Sequence, residues 1–233
     1  MRGLGTLINV VAVVAGSSLG AVLGGRLPGR VRDIVTDGLG LLTFVLGISM
    51  AVKTQSFLIV MASILLGGIV GELLRIERAL ERLGDYFQAR LAASSSTFST
   101  GFVTASLVFC VGPMAILGSI DDGLRGNVQL LVVKSVLDGF AALAFATTLG
   151  WGVGLSALSV FVYQGSLTVA AGFVARVLSE PMITEMTATG GLLVLAIGLR
   201  LLHLREVKVA NLLPALFFAP ALVALVDAVR GLL

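Results

Sequence analysis

The sequence predicts an all-α protein, a polytopic bundle of about eight membrane-spanning helices, and three observations carry that prediction. The 233 residues are 57% hydrophobic and only 12% charged, with a mean hydropathy of +1.06. A soluble domain carries about 25% charged residues, so this chain cannot clothe a water-facing surface of its size. Apolar runs recur along the chain, each near the length of about 20 residues that crosses about 30 Å of hydrocarbon. Lysine and arginine gather in the gaps between those runs. An ordinary soluble enzyme is excluded, and so is a disordered chain, given the abundance of Leu, Val, Ala and Phe.

The runs follow in order at 4–24, 33–53, 56–76, 99–121, 126–150, 155–177, 183–203 and 208–230. The first follows Arg2 in the manner of a signal peptide, but similar segments succeed it throughout, so it reads as a retained first helix. Gly112-Pro113 interrupts the fourth, where proline removes a backbone donor and crowds the preceding turn, and Gly118-Ser119 offers a second weak point. Residues 1–233 therefore read as a single integral membrane domain. Within it, residues 76–97 alternate charged and apolar side chains at helical spacing, which predicts an amphipathic connector helix at the membrane surface.

Charge placement orients the bundle. Loops after spans 1, 3, 5 and 7 hold ten Lys and Arg against five on the other side, which places the first group in the cytoplasm and both termini outside. The net charge of +3 follows from this loop placement and forms no stripe suited to nucleic acid. One cysteine, Cys110, excludes an intrachain disulfide, and one histidine, His203, excludes a histidine-rich metal centre. No metal, cofactor or catalytic residue is expected. HExxH and Walker motifs are missing from the sequence, which argues against an enzyme.

The chain also resembles itself. GLGLLTFVLG at 38–47 is echoed by TGGLLVLAIG at 189–198, with further parallels upstream and downstream. Spans 1–3 then correspond to spans 6–8, and five intervening helices make the two triplets enter the membrane in opposite directions. Such inverted repeats, here flanking a hairpin of spans 4 and 5, are common in secondary transporters.

Several residues could carry chemistry. Gly16, Gly20 and Gly24 form a stripe on the first span, and Gly67 and Gly71 repeat the spacing on the third, either for tight helix packing or as a substrate-contacting face. After the break at Gly112, Pro113 and Gly118 come Ser119, Asp121 and Asp122. They form either a cation site, built from freed carbonyls, Ser119 and a carboxylate, or a kinked helix whose Asp pair caps the next helix from outside. Lys134 and Asp138 sit at i, i+4 within the fifth span, so they share a helical face and can pair. They read either as structural glue or as a coupling and gating element, since charge inside a span is costly. Gln164, beside Gly165 in the sixth span, is polar for its depth and a further solute contact or interhelical hydrogen bond.

The segments GTLINVVAVVAGSSLGAVLG at 5–24, FCVGPMAILGSIDDGLRGN at 109–127, and KSVLDGFAALAFATTLGWGVGLSA at 134–157 followed by YQG resemble the YqgA/YdfK-like bacterial membrane family. The resemblance covers essentially the whole chain and implies a multi-pass protein of the bacterial inner membrane. The family is filed as a domain of unknown function, and the sodium channel or pump label on some members has no mechanism attached, so it supplies no site residues. The expectation is gradient-driven passage of a small ion, a cation by preference, or of a small solute through the lipid bilayer. The alternative is a membrane scaffold that binds a partner through residues 76–97. The glycine stripes and thin loops further suggest a homo-oligomer.

Overall fold

The computed structural model describes residues 2–80, 82, 86 and 97–230. Its helices are α1 (Leu4–Gly24), α2 (Gly29–Ala51), α3 (Phe57–Leu74), α4 (Phe98–Cys110), α5 (Pro113–Arg125), α6 (Gln129–Leu149), α7 (Gly152–Val169), α8 (Ala171–Val177), α9 (Glu180–Leu201) and α10 (Ala215–Arg230). A 3-10 turn, Val209–Leu212, precedes α10. No strand occurs among the described residues. Among the described residues, seven helical segments are long and apolar enough to cross a membrane, and α4 with α5 forms a further pair bent by 62°. The backbone is helical at 76–80, 82 and 86, and the rest of the expected 76–97 connector lies outside the described residues.

The described chain divides into two units, residues 1–39 with 80–175 and residues 40–79 with 176–233. In the first unit, α1 buries its small and polar face, Gly5, Thr6, Asn9, Val13, Gly16, Ser17, Gly20 and Gly24. Its large apolar side chains point outward, with Leu7 52% and Val11 66% exposed. That reverses the pattern of a soluble helix and suits one whose outer solvent is hydrocarbon. A Cβ at Gly16, Gly20 or Gly24 would overlap the carbonyl oxygens of Gly139, Leu143 and Thr147 respectively. Residue numbers rise together along this contact, so α1 and α6 run parallel at backbone-to-backbone distance.

The bent pair α4–α5 accompanies α7: Gly152 abuts the Phe98 carbonyl, Ser106 Oγ donates to Ser159 Oγ (2.9 Å), and Gly123 abuts Thr168. Together the two helices have the length and composition of one further span, so the described residues hold seven or eight candidate spans.

In the second unit, α2 from Gly40 onward packs antiparallel on α9. A Cβ at Gly47 would strike Leu195, and one at Gly198 would strike Phe44. Gly47 and Gly198 are equivalent in the 38–47/189–198 register, as are Phe44 and Leu195, so each helix offers its glycine to the other's bulkier residue. Any antiparallel pair exchanges contacts in this way; the likeness lies in the matched glycines. Gly67 and Gly71 of α3 are likewise filled by Ala215 and Asn211.

Element boundaries depart from expectation where proline intervenes. Pro28 starts α2 four residues early, as proline favours the first turn. Pro214 separates the 3-10 turn from α10, and the sixth span breaks at Ala170 into α7 and α8.

Candidate functional site

The polar centre of the first unit is built by one residue face from each of three helices. α6 contributes Lys134 and Asp138, one turn apart, 6% and 7% exposed. Lys134 Nζ donates to Asp138 Oδ2 in a short buried ion pair. α1 contributes Asn9, fully buried, whose Nδ2 donates to the same Oδ2 (2.9 Å) and to Gln164 Oε1 of α7 (3.3 Å). Both amide orientations follow from these partners: Asn9 must turn its nitrogen to a carboxylate, and Gln164 must then turn its oxygen to Asn9.

Among the described residues, Asn9 Oδ1 and Gln164 Nε2 are buried without a hydrogen-bond partner, as are the hydroxyls of Thr6 on α1, Ser119 on α5 and Thr168 on α7. Buried polar atoms are partnered in the great majority of cases, so an acceptor and a donor left open on the two amides that extend from the ion pair stand out. Asp138 Oδ1 forms no hydrogen bond among the described residues either, since both donors converge on Oδ2.

The remaining expected residues are distributed differently. Gly112 and Pro113 mark the break itself, with Pro113 as the first residue of α5. Gly118 lies inside α5, which continues unbroken to Arg125; it accommodates the Leu131 side chain, which also packs on Gly5. Asp121 and Asp122 do not act as a pair. Asp121 points outward, accepting from Arg125 Nη1 (3.2 Å) and Asn127 Nδ2 (2.7 Å). Asp122 is fully buried and accepts from the amides of Gly3 (3.0 Å) and Gly5 (3.1 Å). It therefore caps the first helix of the chain rather than the next one, where free amides and the helix dipole favour an anion.

Sequence reasoning missed Asn9, although a single amide side chain inside an apolar run is itself a signal at membrane depth. It also missed the second unit's polar ties. Glu185, 2% exposed, accepts from Thr54 Oγ1 (2.5 Å) and the amides of Gln55 (2.7 Å) and Ser56 (3.0 Å) at the start of α3. Glu77 accepts from the Ala210 amide (2.8 Å) and Arg200 Nη1 (3.4 Å), and Asn211 bridges it to Glu72 (2.6 Å). Among the described residues no cluster of His, Cys, Asp and Glu suits a metal ion.

Residues 4–224 match the family described as "Protein of unknown function (DUF554)". The chain belongs to this family. The matched region runs from the first residue of α1 into α10 and contains all four members of the polar centre. Relatives in DUF554 include "Uncharacterized membrane protein YdfK" of Bacillus subtilis (strain 168), 30% identical over 96% of this chain and 97% of the relative. "Uncharacterized protein YqgA" of Escherichia coli (strain K12) is 33% identical over 95% of this chain and 96% of the relative. No solved structure matches the chain. This DUF554 protein is a membrane protein of multiple apolar helices, and its chemistry has to be read from its own residues.

Proposed function

We propose that the protein moves a small ion, a cation by preference, or a small polar solute across the bacterial inner membrane, driven by an ion gradient. The observation that carries this reading is the Lys134–Asp138 ion pair buried in a membrane span beside the open donor and acceptor of Gln164 and Asn9. Desolvating two charges costs several kcal/mol per ion before their attraction is recovered, and apolar residues of like volume would pack the same space at less cost. Charge kept at that depth, facing the interior, supports passage of a polar species. The arginine-rich loops after spans 1, 3, 5 and 7 support an orientation with both termini outside the cytoplasm.

Flux into proteoliposomes tests the proposal. Purified protein should admit Na⁺, K⁺, H⁺ or a small polar solute, and Asp138→Asn should abolish that flux while the protein remains folded in detergent. No flux of any of these would sink the proposal, and unchanged flux in Asp138→Asn would remove the ion pair from it. A single-cysteine scan with an impermeant maleimide, comparing Arg2→Cys and Arg205→Cys in intact cells, tests the orientation; labelling at residue 205 alone would reverse it.

A further inference from the structure

We infer that the Lys134–Asp138 pair is an electroneutral exchange site, at which a monovalent cation replaces the Lys134 proton as the partner of Asp138. This rests on the transport reading above and specifies its coupling. The centre is charge-balanced as it stands: one ammonium, one carboxylate, and otherwise amides and hydroxyls. A cation entering beside an intact pair would leave a net positive charge in a nearly water-free interior, which the low dielectric strongly disfavours. Balance is restored if Lys134 releases its proton as the cation arrives.

The residues fit that step. Lysine is the one strong cation in proteins that gives up its proton readily when buried, whereas arginine never does. Asp138 offers Oδ1 as a free acceptor, and Asn9 holds Oδ2 in place through Nδ2, so the carboxylate keeps its position when Lys134 lets go. Asn9 Oδ1 supplies a further uncharged oxygen nearby that no protein donor occupies. In balance, Lys134 –NH₃⁺ becomes –NH₂, the proton leaves toward the side from which Lys134 is reached, and the cation takes the carboxylate. Reprotonation of Lys134 expels the cation.

Other titratable groups around the pair are few. Cys110 of α4 lies within electrostatic reach of both Lys134 and Asp138, and Tyr163 of α7 within reach of Cys110. α1 presents only Asn9, and Asp122 of α5 is held by the amides that begin α1. None of these offers a second cation to replace Lys134.

The test measures cation uptake and internal pH together in proteoliposomes, with the membrane potential clamped at zero and then at an inside-negative value. Exchange predicts one proton out for each cation in, at a rate the potential does not change. Lys134→Arg should reduce coupled exchange to the level of empty liposomes, and Cys110→Ser should leave the stoichiometry at one. Cation flux that carries current, or that moves no proton, overturns exchange while leaving transport standing. Absence of flux for every cation and for protons overturns exchange, and absence of flux for small polar solutes as well overturns transport.

Discussion

Asp122 on α5 holds the first turn of α1 across 117 residues of sequence, its two carboxylate oxygens accepting from the Gly5 and Gly3 amides at 3.1 and 3.0 Å. Removing it strands the buried Gly5 amide and the part-buried Gly3 amide. Asp122→Ala should therefore destabilise the protein by about 2 kcal/mol, the cost of orphaned donors to a charged acceptor. Its neighbour Asp121, paired with an exposed Arg125, should tolerate Asn within about 0.5 kcal/mol. Thermal unfolding of both variants in the same detergent checks the contrast; equal losses would mean that the adjacent aspartates share one role.

The ion pair separates stability from transport. Lys134→Met or Asp138→Leu alone leaves a lone buried charge and should cost about 3–5 kcal/mol. The double variant should recover most of that stability, since the hole is refilled with apolar volume, yet remain inactive in flux. A double variant that transports would make the pair structural glue alone.

The α1–α6 contact is a backbone contact. Gly20→Ala forces a methyl onto the Leu143 carbonyl and should cost about 1–3 kcal/mol, with a comparable effect at Gly16. Gly165→Ala, where nothing lies within 4 Å of the new methyl, should be neutral or mildly stabilising. Yield and melting temperature of the three variants measure this directly.

Glu185 anchors the entry to α3. Glu185→Ala removes the carboxylate acceptor from Thr54 Oγ1 and the Gln55 amide, leaves the Ser56 amide only Thr54 Oγ1 (3.1 Å), and should cost about 2 kcal/mol; Glu185→Gln keeps an acceptor and should cost less. Hydrogen exchange at residues 54–60 should rise in the same order, and protection unchanged in the alanine variant would contradict the cap.

Local rules made much of this molecule legible. Span length and hydropathy located the candidate membrane helices, proline chemistry located the break at Gly112-Pro113, and the 3.6-residue period put Lys134 and Asp138 on one face. Gly118 was misjudged for a physical reason. A glycine in a helix signals weakness or close approach equally well, and only the Leu131 side chain lying against it distinguishes the two. The aspartates show the same limit: adjacent residues on a helix point about 100° apart, so Asp121 and Asp122 had to diverge, yet which one faced inward depended on α1. Asn9 meets its partners across 129 and 155 residues, a separation that no periodicity records.

The break between α4 and α5 has a mechanical corollary. Between their shared contacts, the bent pair runs from Phe98 to Gly123 while α7 needs only Gly152 to Thr168. Nine extra residues, about 14 Å of helix at 1.5 Å each, are folded into the 62° bend. Straightening that segment would drive its far end, with Asp122, about two and a half turns past the start of α1. The bend is thus slack taken up at a fixed point, and the length of this span is matched to the first helix by its angle rather than by its residue count.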